Sequence, residues 1–360
     1  MGNEHAGSYW VEGVSAASTI LFENETDRPV ELIWVDPQGQ PIPYGSIRPQ
    51  RRHLQDTFTT HKWRVVGEEG TILAEHVGET AKVFIRDEGA SESQPWDMQA
   101  EIDALKTHPT WGQYTTRMQM RGIDILAFSI VSEEAVMRTH YVLSRMLGDS
   151  PVEVVERMVY NGSKVAIIGK KQKTSDIPEH HFVTLAGDRS IDHSTRGLGG
   201  TTINPLCSVG EENMLMEDDQ SYPSENLLIH EMGHSVKTLG LSYEQKQRLT
   251  ESYYRAYHGG TYDNSSYIMF DEEEYWAEGT QAWFEATIRE DVTSGINTRE
   301  KLKAHDPLLA SLMVEAYGDG SWRYQDDSPA KFVLKGQPQI LNGTPLPALY
   351  KSSLELKAPV

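Results

Sequence analysis

The chain has a single cysteine, Cys207, among 360 residues. No internal disulfide can form from it, and no thiolate cluster can grip a metal. A lone cysteine behaves as a small buried hydrophobe and is assigned no role. Long apolar runs are also missing. No stretch approaches the ~20 residues of a membrane-spanning helix, so no membrane span is expected. Positive charge is scarce: 33 Lys and Arg stand against 53 Asp and Glu, a net charge of -20. Like charge repels phosphate, which argues against nucleic acid or an anionic membrane as the main partner. The opening Met1-Gly2-Asn3-Glu4-His5 has neither the basic region nor the apolar run of a secretory signal. The expectation is a cytoplasmic protein, or a secreted one whose signal was removed upstream of this numbering. No internal repeat is found.

What is present suits a soluble globular chain. The 38% hydrophobic and 24% charged content is ordinary, and the length allows two domains. Residues 16–86 read as strands. Thr19-Ile20-Leu21-Phe22, Val30 to Val35, Trp63 to Val66 and Ala81 to Ile85 are β-branched or aromatic runs, separated by turn signals such as Asp36-Pro37-Gln38-Gly39. They predict a small antiparallel all-β sandwich over 1–87. The polar stretch from Asp87 to Pro95 reads as a linker, placed at 88–98, and 99–360 as a second, α+β domain.

In that second part Glu133 to Leu147 has helical periodicity with Gly148 as a stop, and Lys164 to Ile168 is a short buried strand. Residues 174–222 are irregular and rich in Gly, Ser, Asp and Asn. A loop that long is functional or hides edge strands. Helices are expected over 224–239, 242–257 and 272–290.

The sequence His230-Glu231-Met232-Gly233-His234 lies in the first of these, with Ser224 as its N-cap and Gly240 at its stop. Four residues of separation put both imidazoles on one helix face, so both can reach one cation. Glu231 projects about 100° around the axis, beside a metal-bound water instead of on the metal. A catalytic zinc needs a third protein ligand. The extended motif with a third histidine fails, because position 240 is Gly240. Glu274 and Glu278 offer carboxylates from one face of the third helix, and either one fits. Glu272 and Glu273 read as acids that complement the macrodipole of a helix start, and Asp271 with Glu274 has capping-box spacing.

Glu274-Tyr275-Trp276-Ala277-Glu278, with Tyr267 seven residues upstream, resembles the gluzincin metallopeptidases that include anthrax lethal factor and the Pro-Pro endopeptidases. The resemblance covers roughly 220–290 and implies a zincin-like fold. It also implies Glu274 as the zinc ligand, Glu278 as its support behind a histidine, and Tyr267 as a hydrogen-bond donor to the scissile carbonyl. Zinc would then acidify its water toward a pKa of ~7. Glu231 would serve as base and then acid, and Tyr267 would steady the oxyanion. The stretch Arg196-Gly197-Leu198-Gly199-Gly200-Thr201 is either an edge strand for an extended substrate or a surface loop.

In the first part Thr57, Thr59, His61 and Trp63 alternate, as on one strand face, and Trp34 and Tyr44 stand ready to join them. Aromatic walls with hydroxyl and imidazole groups suit a proline ring bearing a polar substituent; a plain aromatic core is the other reading. Trp34, the turn from Asp36 to Tyr44, Arg51-Arg52-His53, Thr57, His61 and Trp63 resemble the von Hippel–Lindau β-domain over residues 16–86. That resemblance implies hydroxyproline recognition by Trp34, Tyr44, Thr57, His61 and Trp63, with Thr57 where the family has serine. Together the parts imply a zinc endopeptidase directed to hydroxyproline- or proline-rich protein. The alternatives are a non-catalytic hydroxyproline-peptide-binding protein with a structural zinc, and a zinc hydrolase of another amide or ester.

Overall fold

The computed structural model describes residues 16–87, 89–185 and 190–325. Met1 to His5, Glu88 of the expected linker, and both outer ends of the two expected domains lie outside them. Contacts divide the chain into two units, Met1–Asp103 with Phe182–His193, and Ala104–His181 with Ser194–Val360.

The first unit contains β1 (Ala17–Asn24), β2 (Val30–Val35), β3 (Pro41–Ile47), β4 (Arg52–Phe58), β5 (Lys62–Val66), β6 (Ile72–Val77), β7 (Ala81–Ile85) and β8 (Glu92–Pro95), followed by the helix α1 (Met98–Leu105). They form two sheets of order β4-β1-β7-β8 and β3-β2-β5-β6. Ile20, Phe22, Leu32, Trp63, Val65, Val83 and Ile85 share one core. Leu21, pointing the other way along β1, joins Trp96, Ile102 and Phe182 in a second cluster. With both faces covered, β1 can carry the consecutive apolar residues Ile20, Leu21 and Phe22.

Three expectations are corrected here. The sandwich is not wholly antiparallel, since β1 and β7 pair in parallel. The expected linker holds β8, which pairs with β7 and is exposed at all four positions. Its polarity is that of a sheet edge, not of a tether. Thr57, Thr59, His61 and Trp63 do not share a strand: β4 ends at Phe58, and β5 begins at Lys62 in the other sheet. Thr59 instead accepts a hydrogen bond from the Ala16 backbone through its hydroxyl.

The second unit begins with a hairpin, β9 (Thr107–His108) and β10 (Gly112–Gln113). It continues through β11 (Thr116–Met120), β12 (Ile123–Ala127), α2 (Glu133–Met146), α3 (Val152–Tyr160) and β13 (Lys164–Ile168). The short turn α4 (Ile191–Ser194) belongs to the first unit through His193, and the second unit then resumes with β14 (Gly197–Leu198), β15 (Leu206–Gly210), α5 (Glu211–Leu215), α6 (Leu227–Ser235), α7 (Tyr243–Gly259), α8 (Glu272–Phe284), α9 (Arg299–His305) and α10 (Pro307–Tyr317). The sheet runs β11-β12-β13-β15-β14, with β14 an antiparallel edge beside β15. Residues 174–222 are therefore less irregular than expected. β15 is buried throughout, but Ser208 and Gly210 break its apolar run.

The helix expected over 224–239 starts later. Asn226, not Ser224, is the N-cap, its side chain accepting from Ile229 N. Ser224 and Asn226 are bonded to the backbone at 286–288 instead: Asn226 N donates to Ala286 O and Ile288 N to Ser224 O. The same pairing ends α8 at Phe284, short of the expected 290, with Glu285 in the left-handed region at φ 52°. After Ser235 the chain makes one wide π turn, Val236–Gly240. No helix among the described residues is long and apolar enough to cross a membrane.

Candidate metal centre and aromatic pocket

Helices α6 and α8 pack against one another, and Trp276 Nε1 donates to Gly233 O at 3.0 Å across their contact. Gly233 admits this approach, because a Cβ there would press on Thr280 and the Ala277 backbone. On α6 the i, i+4 spacing carries His230 and His234 to the same face. On α8 the Asp271 carboxylate caps Glu274 N at 2.9 Å, which fixes the first turn and aims Glu274 at the histidines.

Among the described residues, one donor atom each from His230, His234 and Glu274 lies within 4.8 Å of the others. His230 Nε2 is 3.2 Å from His234 Nε2, and Glu274 Oε2 is 3.3 Å from the former and 3.9 Å from the latter. Ligands at the ~2.0–2.1 Å bond length of tetrahedral zinc stand about 3.3–3.4 Å apart. Glu274 Oε2 is buried and accepts no hydrogen bond, an atom left facing the two rings. Two imidazoles and a carboxylate are also a recurrent zinc donor set. These three residues could hold a metal ion.

The charges around the triangle follow from burial. Burial lowers the pKa of His230, but Glu274, Glu278 and Glu231 outweigh it and raise the imidazolium to about 10. Burial pushes Glu274 up, while His230, His234 and Tyr267 hold it below its ordinary value. Glu231, buried and within electrostatic reach of both histidines, is pushed up by desolvation. Glu278 is buried to 2% exposure with Oε1 3.5 Å from His230 Nδ1, and desolvation raises it to about 8. Without metal, the cluster holds protons where a cation would replace them.

Tyr267 lies on the short turn Tyr267–Met269 before α8; the residue is 44% exposed and its ring stacks on Phe270 at 6.1 Å. Its hydroxyl hydrogen-bonds the Glu274 carboxylate, and partial burial with that charge raises the phenol. Beyond the expected residues, Glu273 brings Oε2 to 3.7 Å from His234 Nδ1 and ion-pairs with Lys237. The reading of Glu273 as mere helix-start acidity missed this. The available signal was Lys237 three residues after His234, on the same helix face.

β14 runs directly over α6. A Cβ on Gly199 would overlap His234 Cβ, and one on Gly197 would meet Leu227 and Glu231 Cγ at 2.8 and 3.0 Å. Within the Gly-rich stretch only Gly197–Leu198 is an edge strand, and Gly197 and Gly199 are what let the chain pass this close to α6.

In the first unit the five aromatic-pocket residues converge from four strands and a turn. Trp34 on β2 is directly opposite Trp63 on β5. Tyr44 on β3 meets Trp63 edge-on at 4.9 Å and Trp34 at 6.4 Å. His61 lies 5.0 Å from Trp34. Trp63 Nε1 donates to Thr57 Oγ1 at 2.8 Å, and Thr57 Oγ1 is 3.2 Å from His61 Nδ1. In the neutral ring the tautomer sets which of the two donates across that contact, since the hydroxyl keeps both its proton and a second lone pair after accepting from Trp63. Burial lowers the pKa of His61 and favours this neutral form. Thr57 and Trp63 are buried, whereas Tyr44 is 49% exposed.

A search among curated proteins finds no match. Among solved structures the chain is similar to the Pro-Pro endopeptidase from Paenibacillus alvei. The likeness has 17% identity over 53% of this chain and 96% of that one, at a TM-score of 0.36. Residues 13–72 match the family model of the VHL beta domain, so the amino-terminal unit carries a region similar to that family.

Proposed function

We propose that the chain is a zinc-dependent endopeptidase of gluzincin type, with a zincin-like second unit that holds the metal through His230, His234 and Glu274. The observation that carries this reading is their donor triangle with buried Glu231 beside it. Zinc there supplies a polarised scissile carbonyl and a water acidified toward neutral pH. Glu231, its carboxyl raised by burial, takes the water's proton and passes it to the leaving amine. Tyr267 turns its hydroxyl from Glu274 to the developing oxyanion. Glu278 orients His230 through Nδ1. β14, the outer strand of its sheet, offers backbone groups to an extended substrate.

In the same reading the first unit directs the enzyme to hydroxyproline- or proline-rich protein. The rings of Trp34, Tyr44 and Trp63 pack a pyrrolidine, and Thr57 with His61 receives its hydroxyl. The match to the VHL beta domain spans all five residues.

The test is a digest of paired prolyl and hydroxyprolyl peptides by the zinc-loaded protein, before and after chelation. Cleavage that survives complete removal of the metal would sink the metallopeptidase reading. Equal affinity for the two peptides would sink the hydroxyproline claim alone.

A further inference from the structure

The two candidate metal histidines are supported from one helix. Glu278 Oε1 stands 3.5 Å from His230 Nδ1, and Glu273 Oε2 stands 3.7 Å from His234 Nδ1. An imidazole that ligates through Nε2 carries its proton on Nδ1 and needs an acceptor there, or its ring is free to turn. We propose that Glu273, held in place by Lys237, is a positioning residue for His234, and that this pair sets metal affinity. The inference rests on the metal reading given above.

The geometry divides the Glu273 carboxylate between two partners. Oε2 faces His234, while Oε1 takes the Lys237 ammonium in a short ion pair. Lys237 also reaches Glu272 Oε1 at 2.8 Å. Its side chain is only 11% exposed, and a cation that deep requires carboxylate partners. Lys237 lies in the π turn Val236–Gly240, three residues beyond His234, so the metal helix itself carries the cation that fixes the acceptor for its own ligand. Glu273 emerges one residue before Glu274 from the turn that Asp271 caps, which ties ligand and support to one rigid segment.

A structural account is available for the same residues. Acids at a helix start complement its dipole, and the Lys237 pairs link α6 to α8. Glu273 is 48% exposed, however, and Glu272 at 2.8 Å still partners the buried Lys237 when Glu273 is removed. At 3.7 Å the approach to His234 is longer than a hydrogen bond. The proposal requires that gap to close when Nε2 binds zinc.

Metal affinity of the full chain distinguishes the two accounts. Zinc binding to the metal-free protein is measured by competition with a chromophoric chelator, and the His234 Nδ1–H proton is followed by NMR in the zinc form. Glu273→Ala is expected to weaken zinc by about 10- to 100-fold, with the melting temperature of the metal-free protein unchanged. Glu273→Gln, whose amide oxygen still accepts from Nδ1–H, should recover most of that loss. Lys237→Met should weaken zinc less than Glu273→Ala, and the double variant should be no weaker than Glu273→Ala alone, since Lys237 acts through Glu273. Zinc affinity of Glu273→Ala within twofold of the parent, or losses that add in the double variant, would overturn the proposal. A parent protein that takes up no stoichiometric zinc would instead sink the metal reading beneath it. If Glu273→Ala does not fold, the comparison of Glu273→Gln with Lys237→Met still decides: equal loss in both overturns the assignment.

Discussion

His230 Nε2 and His234 Nε2 face one another at 3.2 Å. Two neutral rings satisfy that separation only if one places its proton between them, and a cation replaces that proton. His230 is protonated up to about pH 10 in the metal-free protein, because three carboxylates outweigh its burial. Ligation requires that proton to leave. Zinc affinity is therefore expected to fall as pH drops below 10, by as much as about tenfold per unit for one proton released. Dissociation constants at three pH values, with proton release followed in weak buffer, check this. A pH-independent affinity would show that the apo site is not protonated.

Glu231→Gln removes the base and keeps the shape. Peptide hydrolysis should fall by about 10²- to 10⁴-fold, while zinc stoichiometry and peptide binding persist. Parallel turnover, metal analysis and peptide titration provide the check. Retained hydrolysis would transfer the proton-carrying role to another group.

Tyr267→Phe leaves the stacking on Phe270 intact and deletes the hydroxyl. An oxyanion donor acts in the transition state, so kcat should drop by about 10²- to 10³-fold with KM little changed. A rise in KM at constant kcat would mean that Tyr267 only holds substrate.

Thr57→Val strips the oxygen that accepts from Trp63 Nε1 at 2.8 Å. The indole N–H is then buried without an acceptor, at a cost of about 1–3 kcal/mol. Denaturant unfolding should show that loss, and any preference for hydroxyprolyl over prolyl peptide should vanish. Thr57→Ser should restore both.

Gly199→Val drives a side chain into His234 Cβ and pushes the segment just after β14 away from α6. Overpacking of this kind costs about 1–3 kcal/mol, and zinc affinity should weaken with it. Unfolding and metal titration of one preparation test the link between strand and site.

Strand reading divided cleanly by position. The runs at 19–22, 30–35, 63–66 and 81–85 are β1, β2, β5 and β7, the central strands of both sheets. The edges, β3, β4, β6 and β8, escaped, because an edge facing water tolerates charge and proline and loses its apolar signature. β3 carries Pro41 and Pro43 without penalty for that reason.

The sequence by itself determined the local facts. A spacing of four residues fixes two imidazoles on one helix face, and Asp271 three residues before Glu274 fixes a capped start, because both depend only on helical periodicity. Only the tertiary structure decided which carboxylate completes the triangle. Glu274 and Glu278 share a face of α8, and the crossing of α8 over α6 puts Glu274 against both Nε2 atoms and Glu278 behind His230 Nδ1. The same holds for Lys237 and Glu273, 36 residues apart, and for Thr57 and Trp63, which reach one hydroxyl from separate sheets. Packing brings such pairs together, and no sequence interval encodes that distance.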